Sequence, residues 1–175
     1  MKSLVIVILL LILLMIWILL TRKNLVAVDE NVNLAMGQLG VQVSSQFDTA
    51  ILLVDLVRAY APEDGERLKK MIQTEYRILT ARSVPSDVLK QGCVIQKVLA
   101  EISDISEKCP ELKADKGYAK CLYAVESYNK MVRTSRLIYN DIVTKYNQAI
   151  RMVPTCLVAG ILGFHKREYL ESGEY

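Results

Sequence analysis

The chain is poor in the residues from which catalytic centres are most often built. It has a single histidine, and its four cysteines form no Cys-x-x-Cys pair, so few routes remain to a metal site or a catalytic triad. His165 stands past the last proline, with no serine or cysteine arranged around it as a nucleophile. No phosphate-cradling glycine loop is present: Gly37-x-x-Gly40 and Gly160-x-x-Gly163 are too short and lie in helical or apolar surroundings, where they suit close helix contact instead. Charge of one sign is lacking too. The 22 basic and 19 acidic residues leave +3, which argues against nucleic acid as a partner. Acidic residues such as Glu63, Asp64 and Glu66 read as solvated surface. No alternating β-branched run with hairpin signals occurs, so strands are not expected. These absences point to a non-enzyme that needs no cofactor and no metal.

What is abundant is apolar length. The mean hydropathy of +0.24 is high for a soluble domain, and Leu4 to Leu20 are drawn only from Leu, Ile, Val, Met and Trp. At 1.5 Å per residue that run reaches roughly 25 Å, and Ser3 and Thr21 extend it towards bilayer thickness. It is longer than a signal-peptide core, and Thr21, Arg22 and Lys23 follow it in place of a small-x-small cleavage site, so an uncleaved anchor is expected. Without residues 1–23 the hydrophobic share falls to about 48%, an ordinary globular value. Arg22 and Lys23 after the span, against Lys2 before it, favour a short amino terminus outside and the remaining chain in the cytoplasm of a single-pass cell-membrane protein. The unevenly spaced Cys93, Cys109, Cys121 and Cys156 agree with that side, reading as reduced thiols rather than a disulfide framework.

The four prolines, Pro62, Pro85, Pro110 and Pro154, fall between segments of helical periodicity, from whose interiors proline is expelled. Three divide the chain into four helices and the last is expected to end the fourth. The first helix, about Asn24 to Ala61, carries Leu25, Val28, Val32, Ala35, Leu39, Val43, Phe47, Ala50, Val54 and Val57, and nothing separates it from the anchor. The second spans about Gly65 to Arg82 with Leu68, Met71, Ile72, Ile78 and Leu79, and the third starts at Ser86 and Asp87 after Pro85. In the fourth, Tyr118, Leu122, Val125, Asn129, Val132, Arg136, Tyr139, Val143, Tyr146, Ile150 and Val153 alternate in steps of four and three, a helix-packing seam. The expected fold is all-α. A transmembrane anchor (1–23) continues into an antiparallel up-down four-helix bundle (24–154) with long first and fourth and shorter second and third helices, followed by an apolar and then basic segment (155–175).

The unequal lengths leave only two helices near the membrane, still carrying apolar stripes. Their cover has to come from the carboxy-terminal segment, the lipid interface or neighbouring protomers, and Leu25, Val28, Val32 and Leu39, with Leu157, Ile161, Leu162 and Phe164 of the tail, are the expected oligomer or membrane-proximal surface. Two readings of the tail stay open: an interfacial piece with a basic flank, or a fold-back beneath the short helices. Asn129 and Arg136 interrupt the seam with polar groups, and a buried guanidinium needs a carboxylate, for which Asp48 is the nearest candidate in the first helix. Tyr139-Asn140 and Tyr146-Asn147 recur seven residues apart. They read either as a ligand face or as core tyrosines whose hydroxyls reach the rim beside asparagines bonded to a neighbouring element.

Tyr139-Asn140-x-x-Val143-x-x-Tyr146-Asn147-x-x-Ile150-x-x-x-Pro154, with Glu126 and Arg136 before it and Leu157-x-Ala159 and Gly163-Phe164 after it, resembles the LemA family signature. Cys109-Pro110-Glu111-Leu112-Lys113-Ala114 is similar to the family's Tyr-Pro-x-Leu-Lys-Ala turn, with cysteine for tyrosine, and Leu53-Val54-x-x-Val57-x-x-Tyr60-Ala61 is similar to its first helix. Where the family usually has Pro-Asn, this chain has Ile51-Leu52, so a straighter helix is expected. The resemblance implies a membrane-anchored helical bundle with an outside amino terminus. Because a magnetosome member is associated with membrane formation, it also implies a role in membrane organisation. Two functions are expected in that light: a self-associating homo-oligomer that organises or remodels the bilayer, or a tethered adaptor for another membrane or cytoplasmic protein.

Overall fold

The computed structural model describes residues 2–170, with side chains from residue 4 onward; the last five residues of the 155–175 segment lie outside the described residues. The secondary structure is entirely helical among the described residues: α1 (Lys2–Tyr60), α2 (Pro62–Glu75), α3 (Pro85–Lys108), α4 (Pro110–Ala114), α5 (Lys116–Ala149) and α6 (Thr155–Leu162). Helix α1 runs unbroken for 59 residues, so anchor and first core helix are one element. Its apolar stripe from Leu25 to Val57 is buried at nearly every expected position, Val28 being half-buried.

Pro62, Pro85 and Pro110 sit in the first turns of α2, α3 and α4, where the missing N–H removes no helical bond. Asp115 caps α5 by accepting the backbone N–H groups of Gly117 and Tyr118 at 2.6 and 3.0 Å. Pro154 does not end the fourth long helix as expected. Helix α5 already stops at Ala149, and Pro154 is the residue before α6.

The second helix is also shorter than its periodicity suggests: α2 stops at Glu75 and not near Arg82. The cause is tertiary. The buried Gln91 carboxamide accepts the Arg77 N–H at 2.9 Å and donates to the Glu75 carbonyl at 3.3 Å, taking over backbone groups at the helix end. The Tyr76 ring then packs on Phe47, centroids 4.4 Å apart, and Leu79 turns inwards while Ile78 is left 75% exposed. This segment crosses α1 at Gly40, where a Cβ would stand 2.7 Å from the Leu79 carbonyl oxygen. The Gly37-x-x-Gly40 pair therefore admits a crossing chain, not a second helix.

Helix α1 is the spine and packs against all five other helices, most extensively α5. The two run antiparallel: the Tyr60 hydroxyl donates to Asp115 at 2.8 Å at the far end, and Ile142 and Lys145 border Val28 to Gln38 towards the anchor. Helices α2 and α3 pack on each other and on the far half of α1. Along α5 the seam is buried at Tyr118, Val125, Tyr139, Val143, Tyr146 and Ile150, whereas Leu122 is exposed and Val153, beyond the helix end, lies in the open turn before α6.

Candidate functional site

The membrane-proximal half of the α1–α5 pair is not bare. After α6, Gly163 adopts φ 77°, a left-handed turn suited to a residue without a Cβ, and reverses the chain. Residues 164–170 then run back as an extended strap along α5. With α6, the strap completes the core at this end: Leu25 is 1% exposed, and Val32, Leu39, Ala159 and Leu170 are buried with it. This corrects the expectation of an open oligomer surface at Leu25, Val32 and Leu39, whose apolar faces are covered from within the same chain. Val28 and Phe164 are half-buried against the core, while Leu157, Ile161 and Leu162 stay exposed.

The strap is held by the two Tyr-Asn pairs. Asn147 donates to the Arg167 carbonyl and accepts the Arg167 N–H, both at 2.9 Å. Asn140 makes the same reciprocal pair with Leu170, both at 2.8 Å. Two residues before each of these rungs the Tyr146 and Tyr139 hydroxyls donate to the carbonyls of His165 and Glu168 at 2.9 and 3.2 Å. The spacing has a simple origin. Seven helical residues rise about 10.5 Å, and three extended residues rise about 10 Å, so a heptad of side chains meets every third peptide of an antiparallel strap. Tyr139 and Tyr146 are themselves core residues, with hydroxyls at the rim and asparagines bonded to a neighbouring segment.

Side-chain contacts add selectivity to a ladder whose Asn and Tyr rungs read mainly backbone. Arg167 reaches α1, donating to Asp29 from Nε at 3.1 Å and from Nη2 at 2.9 Å. Burial works against the Arg167 charge, but the Asp29 carboxylate more than offsets it and raises its pKa. Burial likewise pushes the Tyr139 and Tyr146 hydroxyls upwards, which keeps them protonated as donors. Sequence reasoning did not find Asp29, Arg167 or Leu170 as part of this site. The heptad spacing of the asparagines was the one available signal.

The polar seam lies farther from the anchor. Asn129 and Arg136 line a groove between α3 and α5 together with Gln46, Gln96 and Arg133. Asp48 is not brought to them. It follows buried Gln46 and Phe47 onto the exposed side of α1, and among the described residues the ion pairs do not include the expected one between Arg136 and Asp48.

Residues 35–175 match the LemA family. The chain belongs to the LemA family. The matched stretch contains both Tyr-Asn rungs and the whole strap, while the anchor and Asp29 lie before it. No curated protein matches this LemA-family chain. The apolar first part of α1, with a mean hydropathy of 3.4 and no buried residue in its most apolar window, makes it a membrane-anchored member.

Proposed function

We propose that the protein is a non-enzymatic structural component of the cell membrane. It crosses the bilayer once with a short amino terminus outside, carries an antiparallel up-down bundle in the cytoplasm, and self-associates to organise or remodel the membrane. The observation that carries this reading is the unbroken α1: a body joined to its anchor without a hinge passes its packing geometry to the bilayer. Support for self-association comes from the outer face of α1, where exposed Leu34, Val41 and Leu52 fall on one line opposite the core stripe, and from exposed Met131 and Ile138 on α5. These residues replace Leu25, Val32 and Leu39 as the surface for a second copy. Sizing of the full chain in mild detergent, followed by electron microscopy of the reconstituted protein, tests it. Regular assemblies are expected, and a stable monomer at all concentrations overturns the reading. A reporter fused to the carboxy terminus tests the orientation.

The ladder favours a second reading, a tethered adaptor. Asn140 and Asn147 each bind the N–H and C=O of one strap residue, so the same groove suits an extended segment of another membrane or cytoplasmic protein. A monomer that retains a stoichiometric partner through gentle solubilisation would favour the adaptor.

A further inference from the structure

Helix α6 has two unlike faces. Val158 and Ala159 are buried against the core, whereas Leu157 is 68% and Ile161 86% exposed one turn apart on the opposite side. Met152 and Val153, in the turn leading into the helix, are exposed as well, Val153 at 83%. In a water-facing helix such residues lose the benefit of burial. The position of α6 says what covers them. It packs on α1, at the end of the body where the anchor leaves. Trp17, Thr21 and Leu25 lie four residues apart on one face of α1 and pass from half-buried to buried as the anchor joins the body. Helix α6 cannot swing away from that level, because Gly163 and the Tyr-Asn ladder hold the chain that follows it.

The charges agree. Arg22 and Lys23 at the end of the anchor, Arg151 before α6 and Lys166 after it are all exposed. Among the described residues the acids nearest these bases are Asp29, occupied by Arg167, Glu30, about 12 Å beyond Arg22 along α1, and Glu168 at the higher Tyr139 rung. An apolar face ringed by basic side chains at the mouth of a transmembrane helix matches the boundary between anionic headgroups and acyl chains.

We propose that α6 is a second membrane contact, with Leu157 and Ile161 seated in the bilayer interface and Arg22, Lys23, Arg151 and Lys166 on anionic lipid headgroups. The bundle is then held at two points and stands at a set angle on the bilayer. The inference rests on the anchor and not on self-association.

The test uses the full chain, with its four cysteines replaced by serine, reconstituted into phosphatidylcholine vesicles with and without phosphatidylglycerol. An environment-sensitive fluorophore is placed through Ile161→Cys, and through Leu137→Cys on exposed α5 as the control. At position 161 the expected result is blue-shifted emission, strong quenching by lipids brominated near the headgroup, and several-fold weaker quenching by aqueous iodide than at position 137. Phosphatidylglycerol should deepen the shift, and replacing Arg22, Lys23, Arg151 and Lys166 with glutamine should remove that increment. Full iodide access at position 161 in both vesicles overturns the proposal. So does shielding from iodide without bromolipid quenching, which would mean that protein covers the face. Protection of the strap from trypsin reports that the variants are folded. Detergent sizing reports separately on self-association.

Discussion

An asparagine carboxamide sets an N–H donor and a carbonyl acceptor side by side in the plane of an amide, so Asn140 and Asn147 hold the strap much as a neighbouring strand would. Replacing Asn147 with leucine leaves the Arg167 N–H and C=O without partners in a part-buried site. The expected cost to strap docking is about 2–4 kcal/mol, read as faster tryptic cutting after Lys166 and Arg167 with the helical content of the body retained. The two glycines of α1 should respond in opposite ways. A Cβ at Gly37 meets Ala81 at 3.8 Å, an ordinary contact, so Gly37→Ala should stabilise by up to ~1 kcal/mol through helix propensity. At Gly40 the 2.7 Å approach to the Leu79 carbonyl forces the crossing segment to shift. Gly40→Ala should therefore destabilise by about 1–3 kcal/mol, with both effects measured as changes in denaturation midpoint. Asp115 introduces an acid limit. Its carboxyl is held below the usual carboxylate range, first by the Tyr118 N–H, then by the Tyr60 hydroxyl and the Gly117 N–H. Stability from this cap is complete above the ordinary carboxylate pKa near 4 and is lost as pH falls through the lower folded value. Asp115→Asn should flatten that acid limb of thermal stability, because the carboxamide oxygen still accepts the Gly117 and Tyr118 N–H groups without titrating, while the bond from the Tyr60 hydroxyl is lost at every pH.

Among the elements, α1 and the lower half of α5 were legible because a helix packed along its length repeats its apolar residues with the period of the backbone. Tyr139, Val143 and Tyr146 declared themselves in this way. The end of α2 did not, since Ile78 and Leu79 extend a helical pattern while the stop is imposed by Gln91 and by the close crossing at Gly40, both remote in sequence. The strap left even less trace. An extended segment bonded to side chains has no apolar period, and its Arg167–Asp29 ion pair joins residues 138 positions apart. Phe47 links two of these elements, being buried in the α1 stripe and stacked on Tyr76. Phe47→Ala should cost about 3–5 kcal/mol in denaturant unfolding and release the 76–84 segment with it.

At the scale of the whole molecule, the short chain finds three ways to cover one long helix: α2 and α3 on its far half, α5 along its side, and α6 with the strap nearest the anchor. Because α1 continues without a break from Lys2 to Tyr60, the part beyond Lys23 is a lever about 55 Å long. Over that length a difference of 10° in tilt corresponds to about 10 Å at the Tyr60 end. A second contact through α6, by setting the angle at the anchor, would therefore also set where the far end of the molecule stands to within about the diameter of a helix.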